Sequence, residues 1–187
     1  SVIAALADWI DPDESITFIT YRNSTFEGAE SDFYLMRKKP CNAKNQPLET
    51  LRELHYIKGL QGHLINTLKR YITIYGDGRI DINYAGPRVL QSLDSSITET
   101  IAAEIIARRR KTHFRTVNQL KNVPGITDEV FTDIKDFLTV RPDQRYFRIR
   151  SEGIVNEHSQ TVVAVAVMET AAKKTRLRII EYEYTED

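Results

Sequence analysis

Seven carboxylates crowd the first 32 residues: Asp8, Asp11, Asp13, Glu14, Glu27, Glu30 and Asp32. Calcium takes this kind of hard oxygen donor, about six to eight at a time, from carboxylates and loop carbonyls. A loop returning Glu30 and Asp32 towards Asp11 and Asp13 would assemble a calcium site from Asp11, Asp13, Glu30 and Asp32. The spacing is not that of an EF-hand, which needs a glycine at its sixth position and a bidentate glutamate at its twelfth. A second reading needs no ion: Asp8 and Asp11 accept from nearby backbone N–H groups while Glu30 caps a helix. The residues alone leave both readings open. With either one the carboxylates bind or brace, and no reaction follows from them.

No other constellation points to catalysis. His55, His63, His113 and His158 lie in separate segments without an HxxxH or HExxH spacing. A Gly-x-Ser-x-Gly elbow is absent from the sequence. Cys41 is the only cysteine, so it forms no internal disulfide and no structural zinc pair. Arg108, Arg109, Arg110 and Lys111 crowd one helix end, where cations complement the helix dipole and usually form a solvated face.

These residues need elements to hold them. Val2, Ile3, Leu6, Trp9 and Ile10 form a helical stripe over 1–10, with Trp9 as a core anchor. Asp11-Pro12-Asp13 ends that helix, because the residue before proline leaves the helical region. Residues 11–47 lack periodicity and read as an ordered excursion, with a helical turn near 29–36. From Pro47, Leu48, Leu51, Leu54 and Ile57, then Leu60, Leu64, Leu68 and Ile72, predict two helices around Gly59. A short extended piece at 80–83 follows, then helices over 87–93, 97–110, 116–122 and 127–138. After Pro142 the composition turns β-branched and aromatic, and 146–150, 160–167 and 175–184 predict a three-stranded antiparallel meander. The breaks at Asn156-Glu157-His158-Ser159 and Ala172-Lys173-Lys174 mark its hairpins.

Two stretches repeat at an offset of 66 residues: Thr50 to Leu60 aligns with Thr116 to Ile126. Each has Thr followed three residues later by Glu53 or Gln119, a capping-box spacing. Gly59 and Gly125 take equivalent positions and let the chain turn between helices. A weaker third copy over 88–97 has Asp94-Ser95-Ser96 where the glycine should be. An apolar–Pro–Gly–apolar turn between helices is typical of helix-hairpin-helix units, some of which hold a nucleic-acid phosphate on turn N–H groups. The fuller motif has a second glycine, where this chain has Gln61 and Thr127. The hairpins read as packing units, with a nucleic-acid-binding module as the alternative.

Composition bears on that choice. The 187 residues carry 26 Lys and Arg against 26 Asp and Glu, a formal net charge of zero. A generic polyanion binder shows a basic excess, so the balance excludes that class. Hydrophobic residues at 41% and charged residues at 28% describe an ordered globule rather than a disordered tail. The longest near-apolar run, Thr161 to Met168, falls far short of the roughly 20 residues that span a bilayer. No signal peptide is visible, since Ser1 opens directly into a helical pattern.

The order of motifs carries a resemblance. Leu6-Ala7-Asp8-Trp9-Ile10-Asp11-Pro12-Asp13-Glu14 is followed by Gly28-Ala29-Glu30-Ser31-Asp32-Phe33-Tyr34, then by Asn45 to Leu54 and Ile57-Lys58-Gly59-Leu60. Ile80-Asp81-Ile82-Asn83, Arg108-Arg109-Arg110 and Tyr146-Phe147-Arg148-Ile149 complete the series. Over nearly the whole chain this resembles the K component of bacterial type II secretion systems, a minor pseudopilin family. Tyr84-Ala85-Gly86 departs from the family's Thr-Ala pair after the asparagine.

The resemblance implies an α+β fold: a mainly α-helical domain of helix-hairpin-helix (SAM-like) units followed by an antiparallel β-sheet segment of a pseudopilin body. The expected divisions are 1–46 (the end of a first helical subdomain plus an acidic loop), 47–142 (helical hairpins) and 143–187 (strands). It further implies a non-enzymatic subunit capping a pseudopilus tip, with no required cofactor. Partners would be the I and J minor pseudopilins, with exported proteins as further contacts and no nucleic acid. It implies a Gram-negative inner-membrane protein with this region in the periplasm, the chain being a soluble fragment without the membrane helix. Family members similar to this one bind calcium, which favours the ion reading of the acidic group.

Overall fold

The computed structural model describes residues 1–141, 145–156, 158–171 and 174–185. The chain forms two compact units, Ser1–Ile74 and Tyr75–Asp187. The expected boundary at 46/47 therefore falls inside the first unit. Pro47 marks a change of secondary structure and not of core: Leu54, Ile57, Leu60 and Ile65 share one buried cluster with Trp9 and Tyr34. The expected boundary at 142/143 lies outside the described residues, as do the hairpin breaks at Glu157 and at Ala172-Lys173.

In the first unit α1 (Val2–Ile10) is capped by Ser1 and buries Ala4, Ala5, Asp8 and Trp9. The excursion after it contains a hairpin that periodicity missed, β1 (Phe18–Tyr21) against β2 (Ser24–Glu27). Arg22 and Asn23 form its turn at φ 48° and 61°. Two successive left-handed residues match the twist of the flanking strands. The expected helical turn near 29–36 is α2 (Ser31–Leu35). Trp9 is 5% exposed and meets Tyr34 edge-on at 5.0 Å, as a core anchor should.

The helix expected before Gly59 is a 3₁₀ helix at Leu51–His55, and the one after it is α3 (Gly62–Leu68). The same substitution occurs in the repeat, where Val117–Asn122 is 3₁₀ and α6 is Asp128–Ile134. Segments this short and closed by a glycine turn use i→i+3 bonds, such as Tyr56 N to Glu53 O at 2.9 Å. Both capping glutamate and glutamine reach back as their spacing predicts. Thr50 N donates to Glu53 Oε1 at 2.9 Å and Thr116 N to Gln119 Oε1 at 3.4 Å.

In the second unit β3 (Ile80–Asp81) precedes α4 (Pro87–Gln91) and the long α5 (Glu99–Lys111), which Thr98 caps. The helix expected to run to 138 stops earlier, in a 3₁₀ turn at Lys135–Phe137. Leu138–Thr139 then forms β4, parallel to β3. Ile82, Leu90, Ile105, Leu120, Val123 and Ile134 anchor the core of this unit, which holds the second and third copies of the repeat. The first copy packs in the core of the first unit. Arg109 departs from a solvated face: its Nη1 donates to Ile82 O at 2.7 Å, and burial pulls its pKa down.

The meander is β5 (Arg145–Val155), β6 (His158–Ala171) and β7 (Lys174–Thr185), antiparallel in the order β5-β6-β7. Phe147 pairs through Ala166 with Ile179, and Ile149 through Ala164 with Tyr182. This α+β architecture, helical hairpins followed by an antiparallel sheet, is the one the sequence predicts. A register shift at Val165/Ala166 leaves Ile180 extra on β7. That bulge keeps Leu177, Ile179, Tyr182 and Tyr184 on one face although their spacing changes phase. Tyr75 donates to Glu181 and stacks on Tyr146 at 5.4 Å, which ties the start of this unit to the sheet.

Candidate cation site on the first unit

Asp11 is the residue at which α1 stops: its backbone is extended, and its N–H still bonds Ala7 O at 2.9 Å. Pro12 turns the chain, so Asp13 comes round on the same side. Glu30 occupies the N-cap position of α2, but its side chain makes no capping bond. The carboxylates of Asp11, Asp13 and Glu30 converge, with ligand atoms all within 4.8 Å of one another. Glu30 is only 4% exposed, and neither of its oxygens has a hydrogen-bond partner; Asp11 Oδ1 is also buried and unpartnered.

Of the ion-free reading, the Asp8 part holds. Asp8 is fully buried and accepts Thr17 N on Oδ1 at 2.9 Å. Its Oδ2 points to Gly28, where a Cβ would lie 1.9 Å away, so only glycine fits there. Asp11 and Glu30 do not do what that reading asks of them. Asp32, in the first turn of α2, is exposed and outside the converging group. Glu27 lies on β2 and pairs with Lys58 at 3.4 Å.

Asn45 belongs to the site although spacing did not single it out. Its Nδ2 donates to Asp13 O and to Glu14 Oε1, both at 3.0 Å, and its N–H to Trp9 O at 3.0 Å. Its Oδ1 is buried without a partner. It sits at φ 51°, a conformation asparagine tolerates better than most residues, and that tolerance is the signal the sequence held. Glu14 Oε1 accepts Ser31 Oγ as well, at 3.1 Å, and Asp13 Oδ1 accepts Ser15 N at 2.7 Å, while both Glu30 oxygens and Asp11 Oδ1 stay without partners.

The electrostatics follow from this geometry. Burial, then the neighbouring Asp8, Glu14, Asp11 and Asp13 carboxylates, push the Glu30 pKa up to about 7. Burial, then Asp13 and Asp8, push Asp11 up as well. Buried carboxylates with orphaned oxygens fit a bound hard cation, which would remove both costs. Asp11, Asp13 and Glu30 are the residues that would hold it.

The glycine turns lie away from this cluster. Gly59 is at φ +81° and Gly125 at φ +91°, as sharp turns between helices require. The side next to each is occupied: Val2 Cγ2 lies 3.2 Å from a Cβ placed on Gly59, and Ile101 Cδ1 lies 2.6 Å from one on Gly125. Each turn has an apolar side chain on its Cβ side, while both glycines themselves are exposed.

Residues 1–77, which include every carboxylate of the cluster, match the family model described as type II secretion system (T2SS), protein K. Over these residues the chain is similar to protein K of type II secretion systems. Residues 77–139 match the helix-hairpin-helix motif, the region of α4 to α6. A protein K relative from Escherichia coli (strain K12) is 26% identical, over 85% of this chain and 49% of its own length. The type II secretion system protein K of Klebsiella pneumoniae is 30% identical over 43% of this chain and 22% of its own. The chain thus spans about half or less of the curated protein K sequences it matches. A chain of the crystal structure of the GspK-GspI-GspJ complex from enterotoxigenic Escherichia coli has the same fold, with a TM-score of 0.64 at 20% identity. That match covers all of this chain and 63% of the other.

Proposed function

We propose that the chain is the periplasmic part of a non-enzymatic minor pseudopilin, anchored in a Gram-negative inner membrane through segments outside it. Its helical units add bulk at the tip of a pseudopilus and hinder a further subunit from stacking above. Its partners are the I and J minor pseudopilins, with exported proteins as further contacts. The observation that carries this reading is the protein K match over 1–77. The full-length likeness to a chain of the GspK-GspI-GspJ complex supports the same assembly.

The nucleic-acid alternative fits less well. Formal charge is balanced at 26 against 26, and Ile101 fills the space beside the Gly125 turn. A turn that grips phosphate needs accessible N–H groups and an attracting field. The positive φ of both glycines, with Ile101 beside Gly125, gives them a structural role without a ligand.

A calcium ion held by Asp11, Asp13 and Glu30 braces the first unit and takes part in no reaction. Carboxylate oxygens of this type and burial suit that ion.

Mixing the chain with soluble I and J minor pseudopilins and measuring particle mass tests the assembly reading. A ternary complex is expected; three separate species would overturn it. In cells, deleting residues 47–140 should impair secretion or alter pseudopilus length. Unchanged secretion and length would overturn the capping role. Retention on DNA at low salt, falling steeply as salt rises, would favour the alternative instead.

A further inference from the structure

The carboxylates of the cation site stand on both sides of one segment. Asp11 and Asp13 enter it and Glu30 leaves it, and between them the chain makes the β1–β2 hairpin. Of the eight strand residues only Ile19 is better than exposed, so the hairpin buries almost nothing of its own. A two-stranded ribbon is marginal in water, and its order depends on how firmly its ends are held.

Hydrogen bonds fasten both ends, among them the Ser1 ammonium to Glu27 O at 3.0 Å. Thr17 N donates to Asp8 Oδ1 at 2.9 Å, and Gly28 N to Thr17 O at 2.9 Å. Lys58 Nζ donates to Gly28 O at 3.0 Å on the exit side, and Asn45 Nδ2 to Asp13 O at 3.0 Å on the entry side. Against these stand three carboxyl groups crowded across the base of the segment, their ligand atoms within 4.8 Å of one another and the Glu30 oxygens without partners.

We propose that a divalent cation joining Asp11 and Asp13 to Glu30 buckles the two ends of residues 14–29 together and so sets the order of the β1–β2 hairpin. This rests on the cation reading above and adds the consequence of occupancy. With the ion in place, Phe18, Tyr21 and Phe26, all exposed, are displayed on a fixed ribbon. Without it, the strap opens locally while the cores of both units stay folded. Ligand binding to one local state shifts that equilibrium by mass action.

Hydrogen exchange on the 187-residue chain, in calcium and in chelator, tests the strap, and titration calorimetry with calcium chloride reads binding separately. Binding accompanied by about tenfold or slower exchange of the amides in 18–27, with α5 amides unchanged, is the expected result. Binding without slower exchange in 18–27 would overturn the strap and leave the cation reading standing. No heat of binding would overturn both. Asp13→Asn and, separately, Glu30→Gln should abolish the calcium-dependent slowing while α5 keeps its protection. Slowing that persists in either folded variant would also overturn the strap.

Discussion

Ile101 Cδ1 lies 2.6 Å from where a Cβ on Gly125 would stand, and Gly125 itself is at φ +91°. The long α5 therefore lies over the turn, and glycine is required there twice, by conformation and by space. Sixty-six residues earlier, Gly59 meets only the conformational demand in full, since Val2 Cγ2 is 3.2 Å away. Gly125→Ala should cost about 2–4 kcal/mol, a left-handed penalty plus overpacking. Gly59→Ala should cost about 1–2 kcal/mol. Urea unfolding monitored separately in each unit checks the order; equal costs would remove the packing account of Gly125.

Asn83 makes a reciprocal pair with Phe114: its Nδ2 donates to Phe114 O at 3.0 Å, and Phe114 N donates to its Oδ1 at 2.8 Å. At 7% exposure these groups have no water to replace the partner. Asn83→Ala should destabilise the second unit by about 2–4 kcal/mol, because two buried backbone groups lose their bonds. A loss below about 0.5 kcal/mol in thermal or urea unfolding would contradict this.

Calcium affinity should sort the acidic residues by geometry rather than by proximity in sequence. Asp11→Asn, Asp13→Asn and Glu30→Gln should each weaken binding by about tenfold or more, since each removes a charged oxygen from the converging group. Asp32→Asn, two residues from Glu30, should leave calorimetric affinity within about twofold. An Asp32 effect as large as that of Glu30 would place the site elsewhere.

The raised pKa of Glu30 has a definite sign in metal-free protein. The folded state holds this proton up to about pH 7, whereas the ordinary carboxyl releases it near 4.5. Between those values the folded chain binds more protons than the unfolded one, so stability falls as pH rises. The melting temperature of the first unit in chelator should drop by a few degrees from pH 4.5 to 7. Saturating calcium should flatten that slope by taking the place of the proton, and Glu30→Gln should flatten it without calcium. A melting temperature that rises across this window in chelator would refute the assignment.

Much of the helical architecture is legible in the residues. Thr50 with Glu53, and Thr116 with Gln119, announce two capped segments, and the backbone bonds to Glu53 and Gln119 are where the spacing puts them. The choice of 3₁₀ over α in both segments was not legible, because apolar periodicity over one or two turns fits either helix. The β1–β2 hairpin was hidden for a related reason. Its strands are exposed on nearly every residue, so no alternation of buried and solvated positions marks them.

By itself, the sequence determined the repeat, the glycine turns, the strand-rich end and the acidic character of the first 32 residues. All of these depend on local propensity or on short spacing, which a linear chain carries intact. Tertiary structure alone decided which of the candidate carboxylates meet, keeping Asp11, Asp13 and Glu30 together, leaving Asp32 outside and adding the Asn45 amide. It also decided that Leu177, Ile179, Tyr182 and Tyr184 share one face, through the bulge that absorbs Ile180. Both outcomes depend on where distant segments come to rest, and burial against a common core sets that.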